Sequence, residues 1–327
     1  MNALGSTPIR IYCPLHTMME HFVGQLTESL ESTGASCVRL RSRQGEVGAD
    51  KRAKAIALAA HVRNVRHHVH DDGPNIVAWP LTGWCEVPLW RHRTHKTLIA
   101  MHDPQPVARQ DGLSPSAAMH SARLAGARWP HLVTMSPEAY SVTTQYFSPD
   151  KVHMAPHPMR APVIGERTAG RSVLVLGQYK PVRDLDAMAA IAPMLSSAGW
   201  SLRVAGRNWP SIPGWNVTDR VVTETEFREL LNAATVVLLP YRHYFQSGVA
   251  IRALEAGVPV VGRRTGFLTS ILGADFPGAV EDWDNPSSWL AAVEDAAEFR
   301  TEQLRSATAY SQLGASRWRD LVEQAAE

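Results

Sequence analysis

The sequence predicts an α/β chain made of two successive parallel-sheet domains, each covered by helices on both faces. Three observations predict it. Short β-rich apolar runs alternate with longer helical stretches, a Pro- and Gly-rich break interrupts the alternation near the middle, and the alternation then begins again. At 327 residues and 36.0 kDa the chain is long enough for two ordinary α/β domains. Apolar residues at 45% and charged ones at 20% give globular composition and exclude a disordered chain.

In the first half the strand pattern falls on residues 9–13, 37–40, 75–79, 97–101, 132–135 and 152–155. Helical patterns cover 18–32, 51–70, 114–125 and 137–146 between them. The stretch containing Pro156, Pro158, Pro162, Gly165 and Gly170 has no periodicity and reads as the interdomain linker. A second strand series follows at 172–176, 202–205, 215–217, 236–239, 258–261 and 279–280, and the chain ends on helical stretches 287–297 and about 301–327. Two Rossmann-like domains are implied.

Formal net charge is +2, unevenly spread: up to residue 165 there are 17 Lys and Arg against 12 acidic residues, with 13 of the 14 histidines. This mild basic bias suits an anionic membrane surface or an acidic acceptor, and is too small to argue for nucleic acid. No apolar run reaches the length of a membrane span. The polar start, Met1 to Pro8, runs straight into a strand and does not read as a signal peptide. Cys13, Cys37 and Cys85 lack metal-ligand spacing, so no metal site is expected and a reduced, cytoplasmic protein is.

In open parallel sheets, ligands bind beyond the carboxyl ends of the strands, so residues that directly follow a strand are the candidates for chemistry. Pro240 ends one strand of the second series; Gln246 and Ser247 then lead into a helix opened by Gly248 and Val249, whose first amides are free to hold an anion such as a diphosphate. Glu255, two turns along, is an acceptor-only carboxylate suited to a pair of vicinal hydroxyls, as ribose presents. An amphipathic helix with Glu255 on its solvent side explains the same pattern equally well. Another buried strand ends at Gly177, and the loop after it offers Gln178, Lys180 and Arg183; Gly allows close backbone approach and the two cations could neutralise a pyrophosphate leaving group.

Taken together these segments resemble the C-terminal domain of retaining GT-B glycosyltransferases of family 4. The stretch from Leu176 to Asp186 is similar to that family's strand–Gly–loop, and Leu202 to Arg207 to its next strand and turn. Residues 221–240 resemble the helix and strand that follow. Ser247 to Val261 resembles the Glu-x7-Glu helix with its Gly-x-Pro-Val-Val strand. In the first half, residues 97–103 resemble the strand ending in a cleft His, and residues 151–158 the strand into the hinge. The resemblance implies residues 1–160 as an acceptor-side domain with a C-terminal helix, 314–327, packing back on it. Residues 161–313 would bind the nucleotide sugar across a cleft. It implies transfer from a nucleotide-diphosphate sugar with retention, without metal or other cofactor, to an unidentified glycan, lipid or small-molecule acceptor. Glu255 would hold the ribose, amides near Gly248 and Val249 the diphosphate, Lys180 and Arg183 the leaving charge, and His102 the donor sugar. Arg207 joins the donor side.

This chain has Ser247 where the family has its first Glu, Gln178 where it has Arg, and Arg183 where it has Lys. The first loop, Pro14 to Met19, lacks the family's glycines. A non-catalytic binding or assembly protein of the same fold is therefore the alternative. A nicotinamide dehydrogenase is disfavoured because no Gly-x-Gly-x-x-Gly follows any strand. Asp103 beside His102 is placed to accept from an acceptor hydroxyl, and His16 and Trp84 follow strands in equivalent loops, where an aromatic face could stack on an acceptor. His157 is assigned to the hinge. The basic run Arg91 to Lys96 precedes a strand and lies away from the chemistry. The helix over 51–70 is expected to pack on the sheet through Leu58, Val62, Val65 and Val69, leaving Arg52, Arg63, Arg66 and His70 outward; peripheral membrane contact is a second use for that basic side.

Overall fold

The computed structural model describes residues 8–14, 19–41, 51–67, 73–91, 96–106, 112–125, 130–163, 165 and 170–326. It divides into two units, Met1–Met159 with Leu313–Glu327, and Arg160–Gln312. His16, Val69, His70, part of the 91–96 run and part of the linker lie outside the described residues.

Unit 1 contains the parallel strands β1 (Ile9–Cys13), β2 (Cys37–Arg41), β3 (Asn75–Val77), β4 (Thr97–Ala100), β5 (His131–Thr134) and β6 (Val152–Met154) in the order β2-β1-β3-β4-β5-β6. Its helices are α1 (Glu20–Glu31), α2 (Lys51–His67), α3 (Glu86–Trp90), α4 (Pro115–Leu124) and α5 (Pro137–Thr143). Both α4 and α5 start where the sequence supplies a cap: the Oγ atoms of Ser114 and Ser136 accept from the amides of Ala117 and Ala139, each at 3.2 Å, and a Pro follows directly.

Unit 2 contains β7 (Ser172–Leu176), β8 (Ser201–Gly206), β9 (Asn216–Asp219), β10 (Val236–Leu239) and β11 (Val260–Gly262), again parallel, in the order β11-β10-β7-β8-β9. Its helices are α6 (Leu185–Ser197), α7 (Glu224–Ala233), α8 (Gly248–Glu255), α9 (Gly266–Leu272) and α10 (Pro286–Glu298). The expected strand at 279–280 is reduced to one parallel bridge, Ala279 to Gly262. A final helix, α11 (Arg300–Ala326), begins in unit 2 and ends in unit 1.

Burial explains the architecture. β4 and β10 are buried at every position, the pattern of a sheet covered on both faces. One face of the first sheet packs Ile9, Ile11 and Leu98 against Phe22 and Leu26 of α1 and against Trp318, Leu321 and Val322 of α11. Trp318 also donates from Nε1 to the Pro156 carbonyl at 2.8 Å. In each sheet the chain winds outward from one strand and then returns to that strand's other side, which makes β1/β3 and β7/β10 the switch points.

The stripe expected on α2 is met at Val65 and not at Leu58, with Val62 half-buried. Ala57, His61 and Val65 are the buried face of the helix, while Ile56 and Leu58 are 61% and 44% exposed. The buried face carries a polar contact: His61 Nε2 donates to the fully buried Glu86 carboxylate at 2.7 Å, which favours the face that holds His61. Among the described residues no helix is long and apolar enough to cross a membrane.

Candidate active site

The carboxyl edge of the second sheet is fixed by two glycines. Gly177, at φ +96°, ends β7; a Cβ there would lie 3.2 Å from Arg183 Nη2 and 3.4 Å from Val249 Cγ2. The β7 turn is thus wedged between the Arg183 side chain and the first turn of α8, at the switch point. Gly206 ends β8 at φ +151°, and a Cβ on it would collide with the Gly177 carbonyl. Only glycine lets these two backbones approach so closely.

The loop after Gly177 is tied down by its backbone. Tyr179 donates to the Arg207 carbonyl at 3.0 Å, Asp184 to Pro240 at 2.8 Å, and the Arg242 amide to Val182 at 2.8 Å. Lys180 is exposed. Arg183 is not: it is only 4% exposed. Its Nη2 donates to the Leu176 carbonyl at 2.7 Å, and its guanidinium lies 4.7 Å from the ring centres of both Trp209 and Tyr241. Burial pulls its pKa below the ordinary value, opposed by Tyr241. No carboxylate pairs with it among the described residues, and its Nε is buried without a hydrogen-bond partner. The two cations of this loop thus differ in setting: Lys180 is exposed, and Arg183 is buried with no carboxylate partner among the described residues.

Gln178 and Arg207 meet as well. Nε and Nη2 of Arg207 both donate to the Gln178 Oε1, at 3.0 and 2.8 Å. Ser247 caps α8, its Oγ accepting from the Ala250 amide at 3.2 Å, and it is 6% exposed. The Ser247 hydroxyl oxygen is thus engaged as acceptor by the helix, and its O–H remains a donor. Gly248 is exposed, and Val249 and Gln246 are half-buried. Glu255 is the last residue of α8; its Oε1 accepts from the Arg160 amide at 2.7 Å and its carbonyl from the Val163 amide at 3.0 Å.

Sequence reasoning missed the neighbouring group. Asp184 caps α6 and takes a two-point ion pair from Arg242, at 2.9 and 3.0 Å, plus the Trp283 Nε1–H at 2.9 Å. Hydrogen bonding from Arg242 holds its pKa well below the ordinary carboxylate range against its own desolvation. Arg263 stacks 4.1 Å over Trp283. Asp before a helix is a legible cap; its partners, distant along the chain, are not.

In unit 1, His102 lies two residues past the end of β4 and is 3% exposed. Its Nε2 donates to the Ala78 carbonyl at 2.7 Å, which fixes the ring. Phe22 meets His102 and His157 edge-on at 4.6 and 5.2 Å, and Trp79 lies 5.2 Å from His102. His157 therefore joins the His102 cluster and is not only a hinge residue. Burial pushes its pKa down to about 3, helped by His102 and His21 and opposed by the hydrogen bond to Pro158, so it is neutral near pH 7. Asp103 is half-buried beside this cluster. Trp84 is corrected. It is fully buried, stacked on Phe147 at 5.4 Å, and serves the core instead of an acceptor. Trp79 is the half-buried aromatic at that edge.

No protein-family model and no curated protein sequence matches the chain. Solved structures do. It is similar to the catalytic domain of starch synthase IV from Arabidopsis thaliana, bound to ADP and acarbose, with TM-score 0.66 and 10% identity over 98% of this chain and 99% of that one. It is similar to a UDP-forming α,α-trehalose-phosphate synthase from Burkholderia vietnamiensis, with TM-score 0.65 and 10% identity over 98% and 97%. It also matches TarM at TM-score 0.53 and 11% identity, covering 82% of this chain and 55% of that protein's length. With two parallel-sheet α/β units and these neighbours, the chain has the GT-B glycosyltransferase fold.

Proposed function

We propose that the protein is a glycosyltransferase that takes a sugar from a nucleotide-diphosphate donor held at the β7/β10 switch point of unit 2. The observation that carries this reading is Arg183. A buried guanidinium without a carboxylate partner is costly unless an anion completes it, and it stands beside Gly177 and the α8 N-terminus, where amides and helix dipole favour the same charge. In this reading the Gly248 and Val249 amides and Lys180 share the diphosphate, and Gln246 and the Ser247 O–H face the donor. Glu255 takes the ribose hydroxyls. His102 and Asp103 of unit 1 serve the transferred sugar and the acceptor, an unidentified glycan, lipid or small molecule. Transfer with retention and without metal follows the family resemblance, and the solved neighbours with ADP or a UDP-forming activity support a nucleotide donor.

A thermal-shift panel of nucleoside diphosphates and their sugars tests this, since a ligand of the folded state raises the melting temperature by mass action. Stabilisation by at least one diphosphate, followed by nucleotide release with acceptor and in the presence of EDTA, is the expected result. Binding with no turnover towards any acceptor would instead favour a non-catalytic binding protein. No stabilisation by any nucleotide would overturn the assignment. Glu255→Ala is expected to weaken nucleoside diphosphate binding by about 1–3 kcal/mol, the range for losing hydrogen bonds to a charged group. Calorimetry on the folded variant checks it, and unchanged affinity would remove Glu255 from the site.

A further inference from the structure

We propose that Arg207 is a second guanidinium ligand of the donor diphosphate and that Gln178 is the residue that positions it. The inference rests on the reading of unit 2 as a nucleoside diphosphate site and names the group that completes its charge.

The argument starts from what Gln178 is. Most exposed arginines whose contacts are resolved in unit 2 are held by carboxylates: Arg242 by Asp184, Arg220 by Glu226, Arg264 by Glu281 and Asp275, Arg171 by Glu294. Each pair cancels its own charge. Arg207 is different. Two of its donors converge on one neutral amide oxygen, and no carboxylate pairs with it among the described residues. An amide fixes the direction of the guanidinium as a carboxylate would, yet leaves the positive charge whole. Because a guanidinium only donates, the bonded atom must be the amide oxygen, which leaves the Gln178 amide nitrogen to donate elsewhere.

The backbone places this cation precisely enough to matter. Leu176 pairs with Ala205 across β7 and β8, so the turns at Gly177 and Gly206 lie side by side. The Tyr179 amide binds the Arg207 carbonyl, and Asn208, at φ +66°, turns the chain immediately afterwards. Trp209 then donates from Nε1 to the Gly177 carbonyl at 2.7 Å and gives its ring to Arg183. Arg207, through Gln178 and Tyr179, and Arg183, through Leu176 and Trp209, are thus both tied to the Gly177 turn, and neither pairs with a carboxylate among the described residues. Two such guanidiniums around one glycine turn match a ligand with two linked anionic groups, and a diphosphate is that ligand.

Isothermal calorimetry with UDP and ADP, and with uridine and adenosine as uncharged controls, tests the inference on the full chain. Arg207→Gln should weaken binding of the preferred diphosphate about tenfold or more and leave its nucleoside within about twofold, since only the diphosphate carries the charge being matched. Gln178→Ala, which keeps the cation and frees its direction, should cost less, roughly three- to tenfold. The exchange Gln178→Arg with Arg207→Gln moves the guanidinium to the other end of the same contact and should recover most of the affinity. Thermal melts confirm that each variant folds, and Arg207→Lys provides a second variant that keeps charge without the two-point contact. Diphosphate affinity within twofold of wild type in Arg207→Gln would overturn the inference, as would equal losses for diphosphate and nucleoside. If Arg183→Met lost binding while Arg207→Gln did not, this inference alone would fall. If the wild-type protein bound neither diphosphate nor any other in the panel, the donor reading would fall with it.

Discussion

Arg183→Met is expected to abolish measurable nucleoside diphosphate binding while leaving the protein about as stable as before, or more so. In the folded chain the guanidinium has one carbonyl, Leu176, and two ring faces, Trp209 and Tyr241, in place of water. Desolvating such a cation costs several kcal/mol, and a buried charge can often be replaced by an apolar residue of similar volume without loss of stability. Against that, each cation–π contact is worth about 0.5–2 kcal/mol and the hydrogen bond to the carbonyl about 1.5–3. These contributions nearly cancel, so the melting temperature should move little. Binding does not share the cancellation. A diphosphate beside Gly177 loses a desolvated charge partner, and a drop of about 100-fold is the expected scale for one or two charge-assisted hydrogen bonds. Calorimetry and thermal melts on one preparation separate the two roles. A variant that unfolds and loses binding in step would make Arg183 a core residue. Lys180→Ala, at an exposed rim, should cost far less and should lose its effect as salt is raised.

Two parallel-sheet units were legible because element ends are local: apolar strand runs stop at Gly177 and Pro240, and helices open at Ser or Asp caps. Those same signals place Gln178 just after β7 and Gly248 and Val249 in the first turn of α8. What the sequence could not show is which side chains meet. Arg183 and Lys180 sit in one loop, and only the packing of Trp209 and Tyr241, from two other strand ends, buries the first and leaves the second outside. Gln178 and Arg207 become partners because β7 and β8 are neighbours with their glycines opposed. That Ser247 caps α8 through its Oγ, leaving only its O–H to donate, shows once the helix is drawn. In unit 1 the stripe on α2 is only partly met. Helical periodicity identifies an apolar stripe, but about 100° of rotation per residue lets a buried polar bond favour another face, the one that holds His61 on α2.

That bond supports the second large effect. Glu86→Ala is expected to destabilise the protein by about 3–5 kcal/mol, the scale for leaving several buried donors without their common acceptor. Glu86 is fully buried and accepts from His61 at 2.7 Å, Trp90 Nε1 at 3.0 Å and the Thr82 hydroxyl at 2.9 Å. Truncation would leave all three donors without that acceptor and release the segment carrying Trp84 and Trp90, both fully buried. The pH dependence follows from the carboxyl. Burial alone would raise its pKa, but hydrogen bonding and charge from His61, with hydrogen bonds from Trp90 and Thr82, outweigh it, and the net shift is downward from 4.5. A carboxyl depressed on folding contributes its full stabilisation above the unfolded value of 4.5, and loses it as pH falls through the lower folded value. Urea midpoints measured from pH 7 down to 3 should therefore fall on the acid side in the wild type. Glu86→Gln, which keeps an acceptor oxygen but cannot ionise, should start lower at pH 7 and descend less steeply. Parallel acid limbs for the two proteins would mean that Glu86 is uncharged in its pocket, and that its contact with His61 of α2 is held by neutral hydrogen bonds alone.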